Sequence, residues 1–370
     1  MSKTYASGGA GAAPAAVHDL SLDVLPHEVL VLVGPSGCGK STTLRMANRL
    51  VEPSAGRILL EGDDVTKVDP VQLRRRMGYV IQNVGLFPHR TVAQNVATVP
   101  KLLGWDRKRT RTRVDDLLDL VGLSPDRYAK RYPHELSGGE RQRVGVARAL
   151  ATDPPVLLMD EPFGAVDPVG RRRLQTEFAR IQRDLGTTVM LVTHDIDEAV
   201  RMADRVTVLS EGATIEQLAS PLEIVARPAS AAVADLVGRG RTARLLALGR
   251  LDRADLDAPA AGDGADRPHV ELGTELGDVL DHLVDQDAGG VGVPVWENGA
   301  PIGRATGQSV LRALRRLADE HAPADEQGVA DGQGLADEHA PAHEQGVAGQ
   351  HTPTSASTAE PDGDRGAARA

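Results

Sequence analysis

A glycine-rich stretch, GPSGCGKS at residues 34–41, has the composition and spacing of a phosphate-binding loop. Its glycines let backbone N–H groups turn towards a phosphate, Lys40 can neutralise the terminal phosphates, and Ser41 can offer its hydroxyl to Mg²⁺. We interpret Cys38 as a small filler rather than a catalytic thiol, because no reaction at such a loop requires one. The predicted nucleotide-binding residues of the loop are Gly34, Pro35, Ser36, Gly37, Cys38, Gly39, Lys40, Ser41 and Thr42. A glycine turn that has this spacing by chance is the alternative.

Two adjacent carboxylates form a second candidate for chemistry. Asp160 and Glu161 close the apolar run PPVLLM of residues 154–159. Neighbouring positions on an extended chain point in different directions, so the two carboxylates can have different roles. Asp160 can hold Mg²⁺, and Glu161 can polarise the water that attacks a γ-phosphate. On its own the pair is a weak signal, since carboxylates commonly end strands.

A third group is a second candidate site for phosphate. Ser137, Gly138 and Gly139 open a basic helical pattern that contains Arg141 and Arg148. The N-terminus of a helix favours an anion, because its first N–H groups have no acceptor within the helix. The sequence therefore predicts two phosphate sites in one chain.

The elements that position these residues predict an α/β fold. The apolar run Val29–Val33 precedes the phosphate-binding loop, a helical pattern follows from Lys40 to about residue 50, and TTVMLV at 187–192 is a further strand. Ligands of open α/β sheets lie at the carboxyl ends of strands, where all these groups are found. We expect an ATPase domain over 1–238 with a helical subdomain at about 85–150.

The remainder of the chain differs in composition. Residues 239–271 are interpreted as a linker rich in Ala, Asp and Gly, and residues 272–317 as a small α+β module with two helical patterns and a turn at Asn298 and Gly299. Residues 318–370 are predicted to be an acidic, low-complexity, disordered tail, in which LADEHAPA occurs at 317 and again at 335.

Composition excludes several classes of protein. The 370 residues carry a net charge of −10, which argues against nucleic acid as a partner. The single cysteine cannot form an internal disulfide, and no run of about 18 apolar residues is present to span a bilayer. The start lacks the apolar core of a signal peptide, so we expect a cytoplasmic protein.

The residues 136–142, LSGGERQ, resemble the signature of ATP-binding-cassette (ABC) ATPases, and further landmarks of that family follow the same order. Tyr5 matches the aromatic that stacks on adenine, Gln82 the Q-loop, Asp167 the end of the D-loop, and His194 the switch histidine. The resemblance covers about residues 2–238 and implies ATP and Mg²⁺ as cofactors. Since only four residues precede Tyr5, where the family has a strand, we expect that further residues precede Met1 in the native protein.

The resemblance also implies roles for these residues. Two cassettes of this family pair head to tail, so a second copy of the chain would contact ATP through its Ser137, Gly138 and Gly139. His194 would hold the γ-phosphate in its own chain, and Gln82 would link Mg²⁺ or the attacking water to a permease. The implied catalytic residues are therefore Glu161, His194, Gln82 and Lys40, and the implied metal ligands Ser41, Gln82 and Asp160. Taken singly, a structural histidine and a surface amide are the alternatives for His194 and Gln82.

Residues 77–89, MGYVIQNVGLFPH, and residues 91–105 resemble the cassette subunits of quaternary-amine importers. The resemblance implies import of glycine betaine, choline or carnitine, permease subunits, an extracytoplasmic substrate-binding protein, and a place at the cytoplasmic face of the cell membrane. Residues 272–317 resemble a single degenerate CBS module. An importer of amino acids or polyamines, and a soluble ABC ATPase without a transport role, are the alternatives.

Overall fold

The computed structural model describes residues 1–5, 15–82, 84–164, 166–259, 268–285 and 292–320. The strands are β1 Val29–Val33, β2 Leu59–Leu60, β3 Asp63–Asp64, β4 Gly78–Val80, β5 Val156–Asp160, β6 Thr188–Val192, β7 Arg205–Ser210, β8 Thr214–Ala219, β9 Val270–Glu271, β10 Val293–Glu297 and β11 Ala300–Ala305. The helices are α1 Lys40–Ala47, α2 Pro70–Arg76, α3 Val92–Val96, α4 Thr98–Leu102, α5 Arg107–Leu120, α6 Pro125–Tyr128, α7 Gly138–Ala149, α8 Pro168–Leu185, α9 Ile196–Met202, α10 Pro221–Ala226, α11 Ala231–Val237, α12 Arg241–Leu248, α13 Leu276–Asp285 and α14 Gly307–Glu320.

A six-stranded sheet forms the centre of the larger part of the chain, in the order β4-β5-β6-β1-β7-β8. The first five strands are parallel and β8 is antiparallel to β7. β1 and β5 are buried along their whole length, which explains their unbroken apolar runs. Since β1, β5 and β6 are neighbours, the loops that follow Val33, Asp160 and Val192 meet at one edge of the sheet.

Helices α3–α7 lie between residues 92 and 149, inside the range predicted to be helical. Polar side chains cap the N-termini of three of these helices. Thr91 and Gln94 form a capping box at α3, Asp106 caps α5, and Ser137 with Glu140 forms a capping box at α7. Helix α7 therefore begins at the serine of the signature.

A smaller part has the order β9-α13-β10-β11-α14 and a three-stranded sheet. The turn between β10 and β11 is formed by Asn298 and Gly299, whose φ angles of 52° and 78° suit a two-residue hairpin. Its core contains Val270, Val279 and Val293, all buried. The first strand of its sheet, β9, thus begins at Val270, slightly before the predicted start at 272, and α14 continues to Glu320.

The structure differs from the predicted linker over 239–259. Helix α12 occupies Arg241–Leu248, and Leu245 is buried in the core of the larger part. Leu251 packs into the core of the smaller part, and Asp255 is 1% exposed. The Ala- and Asp-rich composition at 252–268 masked an amphipathic helix just before it. Residues 260–267 of the predicted linker and 321–370 of the predicted tail lie outside the described residues.

Within the described ranges, no helix has the length and apolar character needed to cross a membrane.

Candidate active site

The phosphate-binding loop joins β1 to α1 along a path that requires glycine. Gly34 has a φ of +155°, and a Cβ there would lie 2.1 Å from the carbonyl oxygen of Leu209. Gly39 has a φ of +109°, and its Cβ would lie 2.5 Å from the carbonyl oxygen of Ala16. A side chain at either position would displace the loop from the sheet edge.

Lys40 is a buried cation without a carboxylate partner among the described residues. The residue is 6% exposed, and its Nζ donates hydrogen bonds to the carbonyl oxygens of Gly34 at 2.7 Å and Pro35 at 2.8 Å. A buried ammonium is costly unless a negative charge compensates it. The first N–H groups of α1 have no intrahelical acceptor, and Gly39 has no side chain to cap them. Both features fit a bound phosphate.

Ser41 and Asp160 place hard oxygen ligands beside the loop. Ser41 Oγ donates a 2.7 Å hydrogen bond to Asp160 Oδ1, and Arg45 Nη2 lies 3.7 Å from Oδ2. Burial, and after it the negative charge of Asp160, raises the pKa of the nearby Tyr79. Hydroxyl and carboxylate oxygens are the ligands that Mg²⁺ prefers, together with phosphate oxygens and water. The pair therefore fits a magnesium ion.

Two predicted catalytic residues contact the carboxylate of a third, Glu161. Gln82 Nε2 donates to Glu161 Oε2 at 3.0 Å, and His194 Nδ1 lies 3.3 Å from Oε1. The backbone of Glu161 has a φ of +45°, and its N–H donates to the carbonyl oxygen of Val192 at 2.9 Å. A left-handed conformation in a non-glycine residue is strained, and here it turns the side chain away from β5.

The signature residues lie at the start of α7. Ser137 Oγ accepts from the Glu140 N–H at 3.3 Å, and Glu140 Oε2 accepts from the Ser137 N–H at 2.7 Å. This backbone bond, opposed by desolvation and helped by the Tyr128 hydroxyl, lowers the pKa of Glu140. Gly138 and Gly139 form the first turn. In the described part of the chain, no hydrogen bond or ion pair joins the signature to the phosphate-binding loop.

Tyr5 and Asp167 lie at the periphery of the site. Tyr5 is 48% exposed, and Lys3 Nζ lies 5.2 Å from its ring centre. Lys3 pairs with Val17, which packs close to Gly39, so the chain start runs next to the phosphate-binding loop. Asp167 is exposed and caps α8 by accepting from the Gly170 N–H at 2.9 Å.

Sequence reasoning missed the group that holds the Q-loop. Arg148 on α7 donates to the carbonyl oxygens of Val84 at 2.6 Å and Gly85 at 2.7 Å. Val84 has a φ of 42°, unusual for a β-branched residue, and a Cβ at Gly145 would lie 2.5 Å from its side chain. The only sequence signal for this contact was the basic character of α7.

Comparison with known proteins identifies the family. A family model described as ABC transporter matches residues 17–164. The osmoprotectant import ATP-binding protein OsmV of Salmonella typhimurium is 47% identical over 324 residues, which cover 85% of this chain and 80% of that protein. The chain belongs to the ABC transporter family. A second ABC relative, the glycine betaine/carnitine/choline transport ATP-binding protein OpuCA of Bacillus subtilis, is 50% identical over 241 residues, 65% of this chain and 62% of the relative.

The ABC cassette fold is also seen in a solved structure. The dimeric post-hydrolysis state of the ATP-binding cassette MJ0796, bound to ADP and Pi, is 31% identical, with a TM-score of 0.53. The match covers 60% of this chain and 96% of that one. The chain is therefore an ABC ATPase, and ATP is its cofactor.

Proposed function

We propose that this chain is the ATP-hydrolysing subunit of an importer of quaternary ammonium osmoprotectants such as glycine betaine, choline or carnitine. The observation that carries the proposal is the 47% identity to the osmoprotectant import protein over 324 residues. That length exceeds the 238 residues of the predicted cassette, so the similarity continues into the C-terminal part. Identity limited to the cassette would support ATP hydrolysis without favouring a solute.

In the proposed mechanism, Lys40 would exchange the carbonyl oxygens of Gly34 and Pro35 for the phosphates of ATP as acceptors. Ser41, Asp160 and Gln82 would hold Mg²⁺, which would neutralise phosphate charge. Glu161 accepts a proton from the attacking water, and its contacts with Gln82 and His194 orient the carboxylate. His194 binds the γ-phosphate of its own chain.

A second copy of the chain completes the proposed site. Among the described residues, no hydrogen bond joins the signature serine and glycines to the phosphate-binding loop of their own chain. Gly138 and Gly139 form the first turn of α7, where the helix N-terminus favours an anion. We assign these signature residues to the γ-phosphate held by the partner cassette. Asp167 would lie where the two cassettes meet, and Tyr5 would stack on the adenine. The proposed dimer works on permease subunits at the cytoplasmic face of the membrane, which receive solute from an extracytoplasmic binding protein.

The C-terminal part is proposed to be a single CBS-like module. Its support is the order β9-α13-β10-β11-α14 around a separate apolar core. Helix α12, which precedes the module, is joined to the larger part, since Arg244 donates to Asp197 of α9 at 2.6 Å.

Uptake of radiolabelled glycine betaine and choline at high osmolarity tests the proposal in native cells that carry either the natural chain or Lys40→Ala. Lys108→Ala is the matched control, because Lys108 is exposed on α5. We expect Lys40→Ala to abolish uptake of at least one solute and Lys108→Ala to leave it unchanged. Unchanged uptake of both solutes in Lys40→Ala cells would contradict the substrate class. Loss of spermidine or amino-acid uptake in the same cells would then support the alternative importers.

A further inference from the structure

A buried acid lies beneath the loop that carries His194. Glu198 on α9 is 5% exposed, and its Oε2 accepts a 2.5 Å hydrogen bond from Thr193 Oγ1. Thr193 Oγ1 in turn accepts from the N–H of Asp195 at 3.0 Å. Both chain neighbours of His194 are therefore tied to Glu198, one directly and the other through the threonine hydroxyl.

The same loop is fixed to the central sheet. Thr193 is 1% exposed, and its N–H donates to the carbonyl oxygen of Leu32 in β1 at 3.1 Å. By contrast, the side chain of His194 is 62% exposed and contacts Glu161. The direction in which this exposed ring points thus depends on the backbone around it, and that backbone depends on Thr193.

Helix α8 packs against the other side of the acid. Gln175, which is 3% exposed, interacts with the Glu198 carboxyl, and Arg171 lies 3.6 Å from Asp195. Arg171 also donates to the carbonyl oxygen of Val166 at 3.2 Å, next to Asp167. Glu198 therefore lies in a network that joins the His194 loop to the start of α8.

Burial raises the pKa of Glu198 to about 7, with the hydrogen bond from Thr193 opposing this effect. The negative charge of Asp195 raises the pKa further, whereas Arg171 and Gln175 lower it. A carboxyl that is neutral at slightly acid pH can accept from Thr193 and still avoid a buried charge.

We infer that Glu198 is a positioning residue that acts through Thr193 to hold His194 in place for the γ-phosphate. The inference rests on the role proposed above for His194. Glu198 contacts Thr193 and Gln175 rather than the phosphate-binding loop, so it is not itself a catalytic residue. An apolar side chain of similar size would fill the same space, but it could not accept the hydrogen bond that fixes the threonine.

The test compares ATP turnover and ATP binding in the full chain for Glu198→Leu and Glu198→Gln. Displacing a reacting group by a fraction of an ångström lowers rates strongly. We expect Glu198→Leu to reduce kcat about tenfold while the KM for ATP and the melting temperature stay near the natural values. Glu198→Gln should keep kcat, because its amide oxygen accepts from Thr193. Thr193→Val should repeat the loss and Thr193→Ser should not.

Two results would overturn the inference. One is a natural kcat in Glu198→Leu. The other is a fall of kcat, ATP affinity and melting temperature together in Glu198→Leu that Glu198→Gln shows as well. That result would indicate that Glu198 only stabilises the fold. If Glu198→Leu does not fold, the pair Thr193→Val and Thr193→Ser decides in the same way. The kcat of His194→Ala is measured in the same assay. Natural turnover in His194→Ala would refute the role of His194. A loss of turnover in His194→Ala together with a natural kcat in Glu198→Leu would refute only the positioning role of Glu198.

Discussion

Gln82 donates a hydrogen bond of 3.0 Å to the Oε2 atom of Glu161. The first residue follows β4 and the second follows β5, so the bond crosses the gap between two adjacent strands. A carboxylate held this way is already directed into the site. A water between Glu161 and a γ-phosphate would then meet a base that needs little rearrangement.

The role of Glu161 gives the first prediction. Glu161→Gln keeps the shape of the side chain but removes the proton acceptor, and its single amide oxygen can accept from only one of Gln82 and His194. We expect ATP binding to remain and turnover to fall by about 100-fold or more, with ATP-bound dimers accumulating in size-exclusion chromatography. Glu52→Gln is a control, because Glu52 is exposed and pairs with Arg49. Turnover in Glu161→Gln equal to that of the control would remove Glu161 from the role of base.

Arg148 gives a prediction about the Q-loop. Arg148→Met leaves the carbonyl oxygens of Val84 and Gly85 without their guanidinium partner, which we expect to cost about 1 kcal/mol or somewhat more of unfolding free energy. The melting temperature should fall by a few degrees and kcat should fall too, because Gln82 lies at the start of this loop. Exposed Arg172→Met is the matched control. If calorimetry and ATPase assays give the same values for both variants, Arg148 does not hold the loop.

Much of the site followed from the sequence, because its residues lie where apolar strands end. The run Val29–Val33 is buried on both faces, so its length and end were readable, and it is β1 as predicted. Residues after parallel strands must meet at one edge, which placed Asp160, Glu161 and His194 together. Their roles in catalysis remain predictions, and Glu161→Gln and His194→Ala test two of them.

Other features depend on tertiary contacts that leave no local pattern. Arg148 is one arginine among several on α7, and only the path of the loop at Val84 makes it important. The α12 helix was missed because the composition after it is typical of a linker. Glu198 resembles any surface glutamate of a helix until Thr193 and Gln175 are packed over it.

Helix α12 gives a prediction that separates a packed helix from a linker. Leu245 is 6% exposed and belongs to the core of the larger part. Leu245→Ala should therefore lower the unfolding free energy by about 3 kcal/mol, whereas Leu311→Ala should change it little, since Leu311 is 50% exposed. Urea denaturation of the full chain measures both. Equal stability of the two variants would support a linker at this position.

The pH dependence of stability tests the buried acid at Glu198. Its pKa is about 7 in the folded chain against an ordinary value of 4.5, because burial disfavours the charged form. A raised carboxyl pKa means that the folded state binds more protons than the unfolded state between these values. The ionisation of Glu198 should thus lower the free energy of unfolding of the natural chain as the pH rises from about 5 to 8.

Glutamine cannot titrate, so Glu198→Gln should lack this contribution. Relative to the natural chain, the variant should gain at least about 1 kcal/mol of unfolding free energy between pH 5 and pH 8. Asp195 and Arg171, which face the acid from its own loop and from α8, are unchanged in both proteins. Urea denaturation midpoints measured at several pH values check the prediction, and parallel curves for the two proteins would show that Glu198 ionises in the ordinary range.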